Sequence, residues 1–173
     1  EKKKEDFYDK MKRFDEKIYT LRTAKKEDFA AKLQPYTISL SLPWAITLAS
    51  IIQKEERDDT EKPTIAWIFL NRLSEGIQLG ADISLCYGRE QPYETCTPAL
   101  ISQYVYDTTN SYNTRVQKWL PPTPISNITA ETFDALLGFK NTEYLFYLHD
   151  AKGNIHYAKT NAEHEANKAQ YLQ

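Results

Sequence analysis

From Trp44 to Ile52 the chain is apolar almost without a break, and from Gln53 to Arg57 it turns polar and charged. Trp44, Ala45, Ile46, Leu48, Ala49, Ile51 and Ile52 predict a helix that is hydrophobic nearly all round, and such a helix has to be surrounded by protein. Pro43 stands where a helix tolerates it, in the first turn. Glu55 follows Ile52 by three residues, Ile51 by four and Leu48 by seven. Helical geometry therefore puts its carboxylate on the buried stripe. An apolar setting disfavours the ionised carboxylate and raises its pKa, which is what a general acid needs near neutral pH. Glu55 is thus the first candidate for chemistry. Glu56 beside it reads as the less buried of the two, a surface glutamate at a charged helix end.

At 173 residues the chain can form one domain with a real core, and its 41% hydrophobic and 27% charged residues argue against disorder. A net charge of -2 gives no electrostatic footprint for nucleic acid or an anionic membrane surface. The apolar run falls far short of the roughly 20 residues that cross a bilayer. No signal peptide is visible, and a chain that starts at Glu1 rather than Met is expected to be a fragment or processed form. Twelve tyrosines and three tryptophans supply flat amphipathic area, for sugars or simply for packing. Cys86 and Cys96 flank turn-forming residues. They either close a small loop worth roughly 2–3 kcal/mol or remain as two free buried thiols. His149, His156 and His164 match no usual zinc spacing, so no metal and no cofactor are expected.

Phe7, Met11, Phe14, Ile18 and Leu21 form one stripe of an amphipathic helix within a highly charged opening stretch that runs to about Leu33. A second, short helix is expected around 26–33, ending before Pro35. The division expected is an N-terminal helical extension over 1–35 and a single domain over 36–173. A helix from near Thr60 to Leu73 has Pro63 in its first turn and Gly76 just past its end. Residues 77–87 read as extended, interrupted by Gly80, and 88–98 as a loop. Residues 107–127 form a polar, Pro-containing loop too long to be incidental. A helix over 130–137 precedes a hairpin of 143–149 and 155–158 around the turn Asp150–Asn154. Thr160 with Glu163 makes a capping box that opens a last helix, ending near Leu172. Several helices around a small antiparallel sheet give an α+β fold.

Seven motifs in order resemble the YceG-like, or MltG-type, endolytic murein transglycosylase family. They are Ala49-Ser50-Ile51-Ile52-Gln53-Lys54-Glu55, Phe69-Leu70-Asn71-Arg72-Leu73, and Leu79-Gly80-Ala81-Asp82 leading to Tyr87-Gly88. Then come Ser111-Tyr112-Asn113-Thr114-Arg115, Leu120-Pro121-Pro122-Thr123-Pro124-Ile125-Ser126-Asn127, Gly153-Asn154-Ile155-His156-Tyr157 and Glu163-His164. The departures from the family pattern are specific. Gln53 replaces the first Glu of a Glu-Lys-Glu triplet; Gly80, Ala81, Ile83 and Ser84 replace Gln, Thr, Pro and Thr around Asp82. Trp119 replaces Gly, Ile128 replaces Pro, and Glu165 replaces Asn.

The resemblance implies cleavage of the β-1,4 bond between N-acetylmuramic acid and N-acetylglucosamine, with Glu55 as the single general acid and base. It also implies substrate contacts. Asp82 would orient substrate or act as a turn aspartate, while Tyr112 and Asn113 would hold the sugar near the acid or stabilise their loop. Arg72 and Arg115 would pair with Glu55 or with substrate carboxylates, Arg72 more as a structural ion-pair partner. Asn127 would contact sugar or cap the following helix. The implied partners are peptidoglycan glycan strands and cell-wall synthases, with no nucleic acid. The implied location is the extracytoplasmic face of the bacterial membrane, reached through an anchor outside this chain. Two rivals stand beside this reading: lysozyme-like hydrolysis with Asp82 assisting water, and a non-catalytic peptidoglycan-binding or division module.

Overall fold

A computed structural model of the chain describes residues 42–138, 140 and 142–172, together with the isolated positions 12 and 16. The two helices expected before residue 34 and the boundary at 35–36 lie outside the described residues.

Helix α1, Leu42–Glu55, forms where the apolar run stands. Ala45, Leu48, Ala49, Ile51 and Ile52 are all fully buried, as a helix apolar on every side requires. Helix α2, Lys62–Ser74, packs against it through Ile65, Ile68, Phe69 and Leu73. Pro63 sits in its first turn, and Gly76 just beyond its end has a φ of 65°.

Residues 77–81 then lead into helix α3, Asp82–Gly88, where the sequence reads as extended. The alternation of Ile83 and Leu85 mimics a strand, but Ser84, Leu85 and Cys86 are buried in succession, which a half-buried strand does not allow. Gly80, with a φ of +68°, reverses the chain just before the helix and accounts for the change. Cys86 is bonded to Cys96, so of the two states open to these cysteines the disulfide is the one formed. The closed loop carries a 3₁₀ turn, Tyr93–Thr95, and leads to helix α4, Pro98–Tyr104. None of the residues of α4 is buried and it is too short to set up a periodic stripe, so its signal in the sequence is only local: Thr97 caps it by accepting the Leu100 N–H, and Pro98 stands in its first turn.

Helix α5, Ala130–Leu137, is capped by Thr129 and closes the core against α1 and α2 with Phe133 and Leu136. Strands β1, Phe146–His149, and β2, Ile155–Ala158, pair antiparallel with Tyr147 opposite Tyr157. Asp150 fastens their turn by accepting the backbone N–H groups of Lys152 and Asn154 and the Asn154 side-chain amide. Helix α6, Asn161–Tyr171, lies on both strands. Its capping box is displaced by one residue: Thr160 accepts from the Glu163 N–H, while the Glu163 carboxylate accepts from the N–H of Lys159. The fold is α+β, helices around one two-stranded antiparallel sheet. Among the described residues no helix is long and apolar enough to cross a membrane.

Candidate active site

Glu55 is the last residue of α1, so the buried stripe delivers it to the point where the helix meets β1. The Tyr147 hydroxyl, projecting from β1, donates to Glu55 Oε2 at 2.9 Å. Burial raises the Glu55 pKa from the ordinary 4.5 to about 7. The Tyr147 hydrogen bond opposes that rise, Asp82 adds to it, and His149 and Arg115 lower it. Tyr147 stays a donor, because burial and the adjacent carboxylate hold its proton well above the ordinary phenol range.

Two cavities of about 300 Å³ each meet at Glu55 and Asp82. The first is walled by Arg72, Gly80, Arg115, Phe146, Tyr147, His164 and Lys168. The structure therefore brings together four residues singled out from sequence: Glu55, Asp82, Arg72 and Arg115. Arg115 Nε donates to Asp82 Oδ1 at 2.5 Å, so the two charges are partnered with each other. Arg72 is not the ion-pair partner expected. Its Nε and Nη1 donate to the carbonyls of Gln78 and Leu145, both at 2.8 Å, and its guanidinium lies over Phe146. Burial lowers its pKa. His164 stacks on Phe146 and is held toward its neutral form, first by burial and then by Lys168. Its buried Nδ1 has no hydrogen-bond partner within the described residues.

Three other candidates take different places. Asn113 is fully buried, and its amide N–H groups donate to the carbonyls of Tyr104, Val105 and Asp107 while its Oδ1 accepts from the Arg115 N–H. Thr114 beside it bonds Ala81 and Ser84. Together they fasten the long loop to α3 and aim Arg115 at Asp82. Tyr112 bonds the Thr123 hydroxyl at 2.8 Å, packs on Tyr87 and lines a separate cavity of about 570 Å³. Asn127 is exposed, and of its two expected roles, sugar contact or helix cap, the cap of α5 is supplied by Thr129 instead.

The hydroxyl on the acid is thus Tyr147, which the sequence reading missed. The available signal was the alternation in β1, which sends Tyr147 and His149 to one face. His149 Nε2 bonds Glu56 Oε2 at 2.9 Å, and Glu56 also accepts the Asp58 N–H. Glu56 is only 6% exposed, which reverses the expectation that it is the surface glutamate. The hairpin covers the end of α1, and periodicity within the helix carries no information about that cover.

Gln53 faces away from the cavity. Its Oε1 accepts from the Thr129 N–H and the Thr132 hydroxyl, docking the start of α5 on α1. An amide oxygen accepts both bonds as a carboxylate oxygen would. Ser50 docks the proline-rich segment in the same way, accepting from the Ile125 N–H, while its carbonyl takes the Ser126 hydroxyl. Asn71 donates to the carbonyls of Thr142 and Tyr144, and Trp67 also to that of Thr142. These bonds clamp the entry to β1.

A central helix thus ends in a glutamate of raised pKa, under a hairpin that supplies its hydroxyl partner and beside a second acid, Asp82, in the same cavities. The YceG-like family model matches residues 1–170, and the chain belongs to that family. The chain is 29% identical over 127 residues to an endolytic murein transglycosylase of Bacillus subtilis, covering 73% of this chain and 34% of the relative. It is 23% identical over 137 residues to one from Streptococcus pneumoniae, covering 78% of this chain and 24% of the relative. The chain therefore spans about a third or less of the length of these curated relatives. A crystal structure of a yceG-like protein from Listeria monocytogenes superposes with a TM-score of 0.64 at 27% identity. That match covers 82% of this chain and 44% of the other.

Proposed function

We propose that this chain is the catalytic part of a peptidoglycan lytic transglycosylase. In this reading it cleaves the β-1,4 bond between N-acetylmuramic acid and N-acetylglucosamine inside glycan strands. The observation that carries the proposal is Glu55, with a pKa of about 7, held by Tyr147 at the meeting point of two cavities. The two relatives named as endolytic murein transglycosylases support it.

In the reaction proposed, protonated Glu55 gives its proton to the glycosidic oxygen as the C1–O4 bond breaks. The C6 hydroxyl of the same muramyl residue attacks C1, and the Glu55 carboxylate accepts the hydroxyl proton. The product is a 1,6-anhydro end, no water is consumed, and one carboxyl serves both steps. A pKa near 7 suits a group that must give and then take a proton at neutral pH. In this reading Arg72, Arg115 and Lys168, which line the first cavity, turn the donors they do not spend on protein acceptors such as Asp82 and Glu165 to the lactyl and peptide carboxylates, and the unmet Nδ1 of His164 offers a contact to a substrate hydroxyl or amide. In this reading the chain works outside the cytoplasmic membrane, where the glycan strands are.

Hydrolysis needs a second carboxylate to activate water. Asp82 is the acid in the cavity that offers itself, and Arg115 already occupies one of its oxygens, which favours the transglycosylase. Glu55→Gln is expected to abolish anhydromuramyl products from purified sacculi with the fold intact by circular dichroism. Undiminished product would refute the assignment. Mass spectrometry distinguishes the rivals, because a hydrolase leaves reducing ends heavier by one water, and a non-catalytic module binds strands without cutting them.

A further inference from the structure

A glycan strand cut in its interior must extend on both sides of the acid. The two cavities share Glu55 and Asp82, so the groove continues past the acid into a second lobe lined by Lys54, Ile83, Tyr93, Cys96 and Ile101. Tyr93 is 43% exposed, and the 3₁₀ turn that carries it buries none of its residues, so core packing does not explain an aromatic there. Its position is nonetheless fixed. Cys96, three residues on, is bonded to Cys86 in the buried face of α3, and its N–H donates to the Tyr93 carbonyl at 3.2 Å. Lys54, one residue before the acid, holds its ammonium 4.9 Å from the Tyr93 ring centroid. Within the described residues that ammonium has no hydrogen bond or salt bridge to a protein acceptor, which leaves its three donors for a ligand.

We propose that this lobe is a saccharide subsite, in which Tyr93 is the wall for the C–H face of an N-acetylated pyranose and Lys54 donates to its hydroxyl or acetyl oxygens. The disulfide-closed loop 86–96 is the device that presents the ring. An exposed tyrosine offers rigid apolar area with a polar tip, which matches the two-sided character of a sugar. The proposal rests on the reading of Glu55 as the acid of a glycan-cleaving enzyme, and its test keeps the two separable.

The test measures cleavage of peptide-free glycan strands and, independently, the titration of each protein with chitotetraose followed by NMR. Tyr93→Ala is expected to raise KM about fivefold to tenfold, with a smaller change in kcat, and to weaken chitotetraose binding by a similar factor. Tyr93→Phe and Tyr93→Trp retain both values, because the ring is what counts. Trp119→Ala removes an aromatic that is 60% exposed and outside both lobes, and leaves both values unchanged. Opening the Cys86–Cys96 bond with dithiothreitol, which itself becomes a cyclic disulfide, weakens binding in the unmutated protein and has no further effect in Tyr93→Ala. Unchanged KM and titration in Tyr93→Ala, or an equal loss in Trp119→Ala, overturns the proposal. If the unmutated protein makes no anhydro ends, the transglycosylase reading falls, and the chitotetraose titration alone decides the role of Tyr93.

Discussion

Glu55 and Glu56 are neighbours with opposite fates. Both leave α1 beneath the hairpin, and each meets one side chain of β1: Tyr147 for Glu55, His149 for Glu56. Glu56 is closed off, while Glu55 opens onto two cavities. The Tyr147 bond lowers the Glu55 pKa against the burial that raises it. Tyr147→Phe is therefore expected to shift the alkaline limb of the pH–rate profile to higher pH. It also lowers kcat about tenfold, since a hydrogen bond to a charged group is lost just when the carboxylate forms. A limb that stays in place, read from initial rates between pH 5 and 9, would show that Tyr147 does not touch the working acid.

Among the elements, the long loop after α4 is the most instructive. It has no regular structure, yet side-chain hydrogen bonds from Asn113 and Thr114 tie it down. Asn113 satisfies three backbone carbonyls at once and sets the direction of Arg115. Asn113→Ala removes the side-chain donor to the half-buried Val105 and Asp107 carbonyls, while Tyr104 keeps the Asp107 N–H, and is expected to cost about 1–3 kcal/mol in chemical denaturation. Cleavage should also fall in the folded fraction, because Arg115 loses its guide to Asp82. Loss of stability with activity per folded molecule unchanged would restrict Asn113 to holding the loop. The motif was legible in the sequence, which left Asn113 either to hold the sugar or to stabilise its loop, and its amide bonds the loop. A buried amide that shapes a wall and one that touches a sugar leave the same trace in a sequence.

At the scale of the whole molecule, the acid couples the site to stability. In the folded chain Glu55 keeps its proton to about pH 7, against an ordinary 4.5 when unfolded. The folded state thus binds the proton more tightly, and the stability this contributes is complete below pH 4.5 and lost as pH rises through 7. Glu55→Gln removes that dependence. Between pH 4 and 8 the unmutated protein should lose stability relative to Glu55→Gln by up to about 3 kcal/mol, less where water at the cavity mouth screens the charge. Thermal unfolding of both proteins across that range checks it, and parallel curves would mean that Glu55 is not buried in solution. α1, α2, α5, the hairpin and α6 were all read from patterns of period or capping, whereas α3 and α4 were missed. α3 follows the turn at Gly80 and is tied to the next loop by the disulfide, and α4 opens on the Thr97 cap with Pro98 in its first turn; neither is long enough for a stripe of its own.

The sequence by itself determined the buried helix, the residue at its end and the order of the motifs. Periodicity is a local property, and it survives whatever the remainder of the chain does. Only the tertiary structure decided which side chain holds the acid, that Gln53 faces a neighbouring helix and that Glu56 is enclosed. It also brought Tyr93 to the groove across a disulfide. Each of these depends on elements far apart along the chain meeting at one place, and contact between distant segments is set by packing, which no single stretch of residues encodes.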